Sequence, residues 1–172
     1  MERQLWVDHV FNLGLDPGWA HNIVSRLQDA HGRIEHICAP WDEEILTWKS
    51  NDAWSIKEHI GHLIDLEPLH RKRLKEFSNF TSELTMADMS NAATQKADHN
   101  QTPLNDLLLH FSEGRVDFIK DYFDLPEASL HHEAIHPRLK VPMKPVDLLF
   151  FVAEHDDHHI TTIKEIIDSR IL

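Results

Sequence analysis

A chain of 172 residues is long enough to bury one ordinary core, and 41% hydrophobic content with 5 glycines and 8 prolines excludes a fibrous or low-complexity protein. A formal net charge of −12, with no block of lysine or arginine to offset it, repels a phosphate backbone and argues against a nucleic-acid partner. Cys38 is the single cysteine, so no disulfide forms within the chain, which suits a reducing compartment.

The start, Met1-Glu2-Arg3-Gln4-Leu5-Trp6, is too polar for a secretory signal, and the longest strongly apolar run, Leu148 to Ala153, is far too short to cross a bilayer. A soluble cytoplasmic protein with no membrane partner is expected. No repeat and no Gly- or Ser-rich linker divides the sequence, so residues 1–172 read as a single domain.

A short amphipathic piece around Leu5 to Leu13 reads as an extra N-terminal helix over about 2–13. Asp16-Pro17 then has the form of an N-cap followed by proline at the first helical position. Ile23, Val24, Leu27, Ala30, Ile34 and Ile37 keep a helical period up to Pro40, and the stretch from Pro40 to Trp54 breaks it as a loop. Ser55 and Glu58 form a capping box that opens a second long helix. Its stripe of Ile56, Ile60, Leu63 and Leu66 runs toward Phe77, with Pro68 expected to kink it.

Residues 78–101 are polar and irregular and read as a long connection. Thr102-Pro103 repeats the cap-plus-proline start, and Leu104, Leu107, Leu108, Phe111, Phe118 and Tyr122 carry the third helix to Pro126. The stretch from Pro126 to Pro145 contains four prolines, both ends included, and reads as a second long loop. Pro145 opens the last helix, with Leu149, Val152, Ile160, Ile163 and Ile167 facing inward. No strand is expected. Four amphipathic helices with two long connections imply an all-α four-helix bundle.

The last helix carries the chemistry. His155 and His159 stand at i and i+4, on a line with Leu148, Phe151, Val152 and Thr162, so both imidazoles border the core face and can grip one divalent ion. His62 lies on the edge of the second helix's stripe with Ser55, Glu58, His59, Asp65 and Leu69, and supplies a third imidazole if the two helices are neighbours. Spacing alone is weak, because 15 histidines yield about one such pair by chance. The bland alternative is two surface histidines and one packed in the core. His132 and His136 have the same spacing, but Pro137 disfavours helix there. His59 is expected to stack on Trp54, and His158 points about 100° from His159.

Two rival motifs fail on composition. His-Asp-Asp-His-His lacks the glutamate of an HExxH metallopeptidase helix and has no third ligand downstream. A di-iron bundle needs two Glu-x-x-His units on separate helices, and Glu133-x-x-His136 falls in the proline-rich loop.

The stretch Trp54-Ser55-Ile56-Lys57-Glu58-His59-Ile60-Gly61-His62-Leu63-x-Asp65-x-Glu67 resembles the second-helix signature of the DinB-like (DinB/YfiT-like) four-helix bundle proteins. The loop His136-Pro137-Arg138-Leu139 and the ending His155-Asp156-Asp157-His158-His159-x-x-x-Ile163 are similar to that family's later signatures, so the likeness runs from about residue 17 to the end. The resemblance implies one divalent ion, nickel or zinc and sometimes iron, on His62, His155 and His159. It also implies a small-molecule substrate, and an activity among thiol-dependent S-transferases and isomerases that use low-molecular-weight thiols, or metal-dependent hydrolases. Nucleic-acid binding is not implied, and a homodimer is.

An ion on three neutral imidazoles lowers the pKa of bound water to about 7 or holds a thiol as thiolate. The ion's chemistry leaves thiol and water open, and the resemblance weights the expectation toward a thiol-dependent S-transferase-like enzyme, with a hydrolase or a non-enzymatic, stress-associated metal-binding protein as alternatives. Asp65, near His62, and Asp156, beside His155, are candidates for supporting the ligands or handling protons, against the plainer role of solvated or ion-paired carboxylates.

Overall fold

The computed structural model describes residues 3–51 and 53–171. Four long helices build it: α1 (Ala20–Cys38), α3 (Ile56–Ser78), α5 (Leu104–Phe123) and α6 (Pro145–Ile171). Two short helices, α2 (Glu43–Leu46) and α4 (Ala92–Ala97), fall inside stretches expected to be loops. α3 packs on α5 and α6, and α1 packs on the same two, so α1 and α3 stand diagonally across the bundle. The adjacency of α3 and α6 is what lets His62 meet the His155–His159 pair. No helix among the described residues is long and apolar enough to cross a membrane.

Local chemistry explains the helix starts. Ser55 Oγ accepts from Glu58 N–H at 3.1 Å while Glu58 Oε2 accepts from Ser55 N–H at 2.8 Å, the reciprocal capping box. Asp16 accepts from Gly18 N–H at the head of a single 3-10 turn, Pro17–Trp19, and α1 begins only after it. Pro103, not Thr102, takes the capping position of α5, and no side chain caps that end. Pro68 lies within α3, which continues to Ser78.

Two expectations are corrected. Of the helix expected over about 2–13, Glu2 lies outside the described residues, and the rest makes only one 3-10 turn, Trp6–Asp8. The reason is periodicity: His9, Phe11, Leu13 and Leu15 are half-buried while Val10, Asn12, Gly14 and Asp16 are exposed. An alternation of two belongs to an extended strap. The strap is pinned where the Gly14 and Leu15 N–H groups both donate to Asp147 Oδ1 at 2.9 Å. Strand also occurs, as a two-residue antiparallel pair of β1 (Ala134–Ile135) and β2 (Pro142–Met143) closing the 136–141 turn.

The apolar interior forms two clusters. One holds Leu27, Phe77, Phe118, Leu148 and Val152, the other Ile34, Ile60, Leu63, Phe111 and Ile163. Each such side chain contributes about 1.5–3 kcal/mol by leaving water. Between the clusters, at corresponding heights on α3, α5 and α6, lie the buried Glu67, Arg115 and Asp156. Arg115 reaches Glu67 at 2.8 Å and Asp156 at 2.9 Å. Burial pushes the Glu67 carboxyl up to about 7 and that of Asp156 to about 6, against the opposing pull of Arg115.

Candidate metal centre

His62, His155 and His159 are all buried, and one nitrogen from each lies within 4.8 Å of the others. No fourth His, Cys, Asp or Glu among the described residues joins this group. The helical spacing brings His155 Nε2 and His159 Nε2 to 3.1 Å, a separation at which both could face one ion. Adjacent nitrogens around a tetrahedral zinc, at about 2.0–2.1 Å from the ion, are about 3.3–3.4 Å apart. The donor set and its spacing fit a divalent cation.

Burial keeps these imidazoles neutral. Desolvation lowers the His62 pKa to about 4, with a further lowering from His99 and a partial rise from Asp65. It holds His155 and His159 well below the ordinary histidine range, helped by mutual repulsion. A neutral imidazole keeps the lone pair that coordination needs.

The other ring nitrogens are arranged by neighbours. His62 Nδ1 lies 3.2 Å from Thr94 Oγ1, which donates to Asp65 Oδ2 at 2.8 Å. His99 Nε2 also reaches Asp65 Oδ2, at 2.9 Å. This chain carries a direction: with Thr94 donating to Asp65, its oxygen accepts from His62 Nδ1–H, leaving Nε2 free for an ion. Gly61 makes the contact possible, since a Cβ there would fall 2.1–2.5 Å from His99 ring atoms. His159 Nδ1 meets His59 Nδ1 at 2.8 Å, and His59 also packs edge-on to Trp54 at 5.5 Å.

Of the residues singled out from sequence, His62, His155 and His159 are brought together, and Asp65 reaches His62 through Thr94. Asp156 is not: its carboxylate turns away into the Arg115 pair, because consecutive helical positions diverge by about 100°. Sequence reasoning misses Thr94, His99, His70 and His136. The last two are buried beside the centre; His70 lies on the buried stripe of α3 with Leu63, Glu67, Leu74 and Phe77, a signal that could have found it, whereas Thr94, His99 and His136 lie in the connections between the long helices.

The three imidazoles line a cavity of about 330 Å³, open on one side to solvent, whose walls include Trp54, Trp6 and Phe151. Trp6 comes from the strap and meets the His155 ring edge-on at 5.0 Å. The cavity also receives Arg73, His136 and Arg138. Cys38 lies far from this chemistry in the second apolar cluster, its thiol pushed up to about 12 by burial.

Among solved structures, YfiT from Bacillus subtilis, described as a probable metal-dependent hydrolase with an unusual four-helix bundle topology, superposes with a TM-score of 0.80. The match covers 94% of this chain and 93% of that one at 15% identity. The mycothiol-dependent maleylpyruvate isomerase matches with a TM-score of 0.65 at 8% identity, over 83% of this chain and 59% of its own length. At these identities the likeness is one of fold. No curated protein sequence matches the chain. The family model of the DinB superfamily matches residues 26–163, spanning two of the long helices entirely and the greater part of the other two, and the chain belongs to that superfamily.

Proposed function

We propose that this protein is a metal-dependent small-molecule enzyme of the thiol S-transferase type, with one divalent ion, nickel or zinc, on His62, His155 and His159. The observation that carries the reading is the open donor set: three neutral imidazoles and no fourth protein ligand among the described residues, on the wall of a cleft that opens to solvent. A structural metal site is ordinarily closed by a fourth protein ligand, whereas a catalytic one keeps a position for solvent or substrate.

When bound there, a divalent ion supplies the charge that holds a thiol as thiolate at neutral pH. The chain does the rest. Thr94 and His59 orient two of the imidazoles, and Trp6, Trp54 and Phe151 exclude water around the reacting atoms. The thiol's proton leaves to solvent. Its sulfur bonds to the electrophilic carbon as the bond to the leaving group breaks, and the leaving group takes that electron pair. A protein thiol is not the nucleophile, because Cys38 is buried and its pKa is about 12.

Water in place of the thiol gives the second reading, a hydrolase, supported by the description of the Bacillus subtilis protein. Metal-loaded protein assayed on electrophiles and esters, with and without small thiols, separates the two. Turnover requiring both metal and thiol, abolished in His155→Ala and retained in Cys38→Ala, is the expected result. Thiol-independent ester hydrolysis would establish the hydrolase instead, and no metal-dependent turnover would leave a binding protein.

A further inference from the structure

The turn that closes the β1–β2 pair delivers two polar side chains into the cavity with donors left over. Leu139 N–H donates to His136 Nδ1 at 3.2 Å, so the proton of this neutral imidazole resides on Nε2. His136 is 2% exposed, and its Nε2–H has no partner. Arg138 Nη2 is also buried without a partner. The guanidinium lies 5.9 Å from the ring centres of both Trp6 and Phe151, and the latter ring is 5.1 Å from that of His136.

Charge sharpens the point. In a chain with 29 acidic residues, neither Arg138 nor the buried Arg73 has a carboxylate within ion-pair distance among the described residues. Arg73 donates Nε and Nη2 to Thr85 O at 3.1 and 2.9 Å, and only the more distant Glu76 offsets its charge in part. The acidic residue on the cavity wall, Asp88, is occupied by Ser90 N–H, Ser90 Oγ and Ala92 N–H. Buried donors and unpaired cations are costly unless a ligand completes them.

We infer that Arg138 and His136 Nε2–H form a carboxylate-binding subsite beside the three-histidine centre, so that a small molecule acted on there carries a carboxylate. The subsite stands on its own geometry, and only the turnover of the molecule it holds rests on the proposed function. Trp6 bridges the two sites, touching both Arg138 and His155. A carboxylate at Arg138 therefore directs the remainder of the molecule toward the metal position, and the aromatic walls accept its apolar part. The carboxylate belongs either to the thiol or to the electrophile.

Benzoate and benzamide, titrated calorimetrically into zinc-loaded and chelator-treated protein, test the subsite. Benzoate is expected to bind at least about tenfold more tightly than benzamide with or without metal, as a charge-assisted pair requires. Arg138→Gln should erase that preference and Arg138→Lys should keep part of it, with circular dichroism confirming that both variants fold. Equal affinity for the two probes would overturn the proposal. So would benzoate binding that vanishes on chelation and ignores Arg138→Gln, since the carboxylate would then be on the ion; the proposed function would survive that result. Loss of metal- and thiol-dependent turnover with the preference intact would sink the function and leave the subsite. The source follows from paired cosubstrates: 3-mercaptopropionate against 2-mercaptoethanol, and 4-(chloromethyl)benzoate against its amide. Whichever pair shows an Arg138-dependent difference in KM carries the carboxylate.

Discussion

The Nδ1 atoms of His59 and His159 lie 2.8 Å apart, and that contact assigns tautomers across the candidate centre. For His159 to offer Nε2 to an ion, its Nδ1 must carry the proton and donate to His59, which then holds its own proton on Nε2. Replacing His59 by Phe keeps the packing against Trp54 and removes the acceptor. Zinc affinity, measured by chelator competition, should fall about 10–100-fold with helicity unchanged. Wild-type affinity in this variant would mean that His159 needs no such partner.

The three ligand positions should behave alike. His62→Ala, His155→Ala or His159→Ala each should sharply lower metal content by elemental analysis, and His132→Ala should not, because His132 Nε2 is bound to Thr81 O outside the cavity. Protons compete for imidazole lone pairs, so bound metal should be released on acidification toward about pH 4. Retention of metal in all three alanine variants would place the ion elsewhere.

Thr94 acts on the centre through His62. Thr94→Val removes the oxygen that faces His62 Nδ1 and that donates to Asp65. Gly61→Ala drives a methyl into His99 and displaces the same segment. Both should weaken metal binding, while only Gly61→Ala should lower the thermal midpoint by several degrees. Unaltered affinity in both would reduce this chain of hydrogen bonds to a packing feature.

The buried ion-pair layer is asymmetric in consequence. Arg115→Leu leaves Glu67 and Asp156 buried without their cation and should cost about 3–5 kcal/mol at neutral pH. Glu67→Gln removes one of two carboxylates competing for a single guanidinium and should be far milder. The Glu67 pKa is raised to about 7, so its contribution to stability is present at acid pH and lost as pH rises through 7. Relative to wild type, Glu67→Gln should therefore improve between pH 6 and pH 8. Equal denaturant midpoints for the two variants would refute this account.

The metal-free protein should lose stability on acidification. His59 and His62 have pKa values lowered to about 4 and His136 to about 3, while His70, His155 and His159 are held well below normal, in each case chiefly by desolvation. Their unfolded values are about 6.5, so the unfolded chain binds more protons between about pH 6.5 and 4. The histidine contribution is complete above about pH 6.5 and is lost as pH falls. Glu67 and Asp156 oppose it, but six histidines outweigh two carboxylates. A urea midpoint that rose from pH 7 to pH 5 would contradict the sign.

The sequence by itself determined the bundle and singled out the three histidines of its candidate centre. Apolar residues at helical spacing, the Ser55–Glu58 box and Pro145 specify helices through local backbone geometry. The i,i+4 separation of His155 and His159 puts two imidazoles on one face wherever that helix packs. Tertiary structure decided the rest, because each remaining feature joins residues distant in the chain. Asp156 stands beside a ligand in sequence yet turns to Arg115 on another helix. Thr94 and His99 lie in a polar connection without a periodic stripe, and only when that segment folds over α3 does Thr94 meet His62 and His99 meet Asp65. Leu5 to Leu13 reads as amphipathic, but its alternating burial arises only once α6 offers a surface for Phe11 and Leu13. Arg138 and His136 stand in a recognisable loop, His136-Pro137-Arg138-Leu139, but have no helical stripe to place them. Their unfilled donors become visible only when the turn that bears them closes over the cavity.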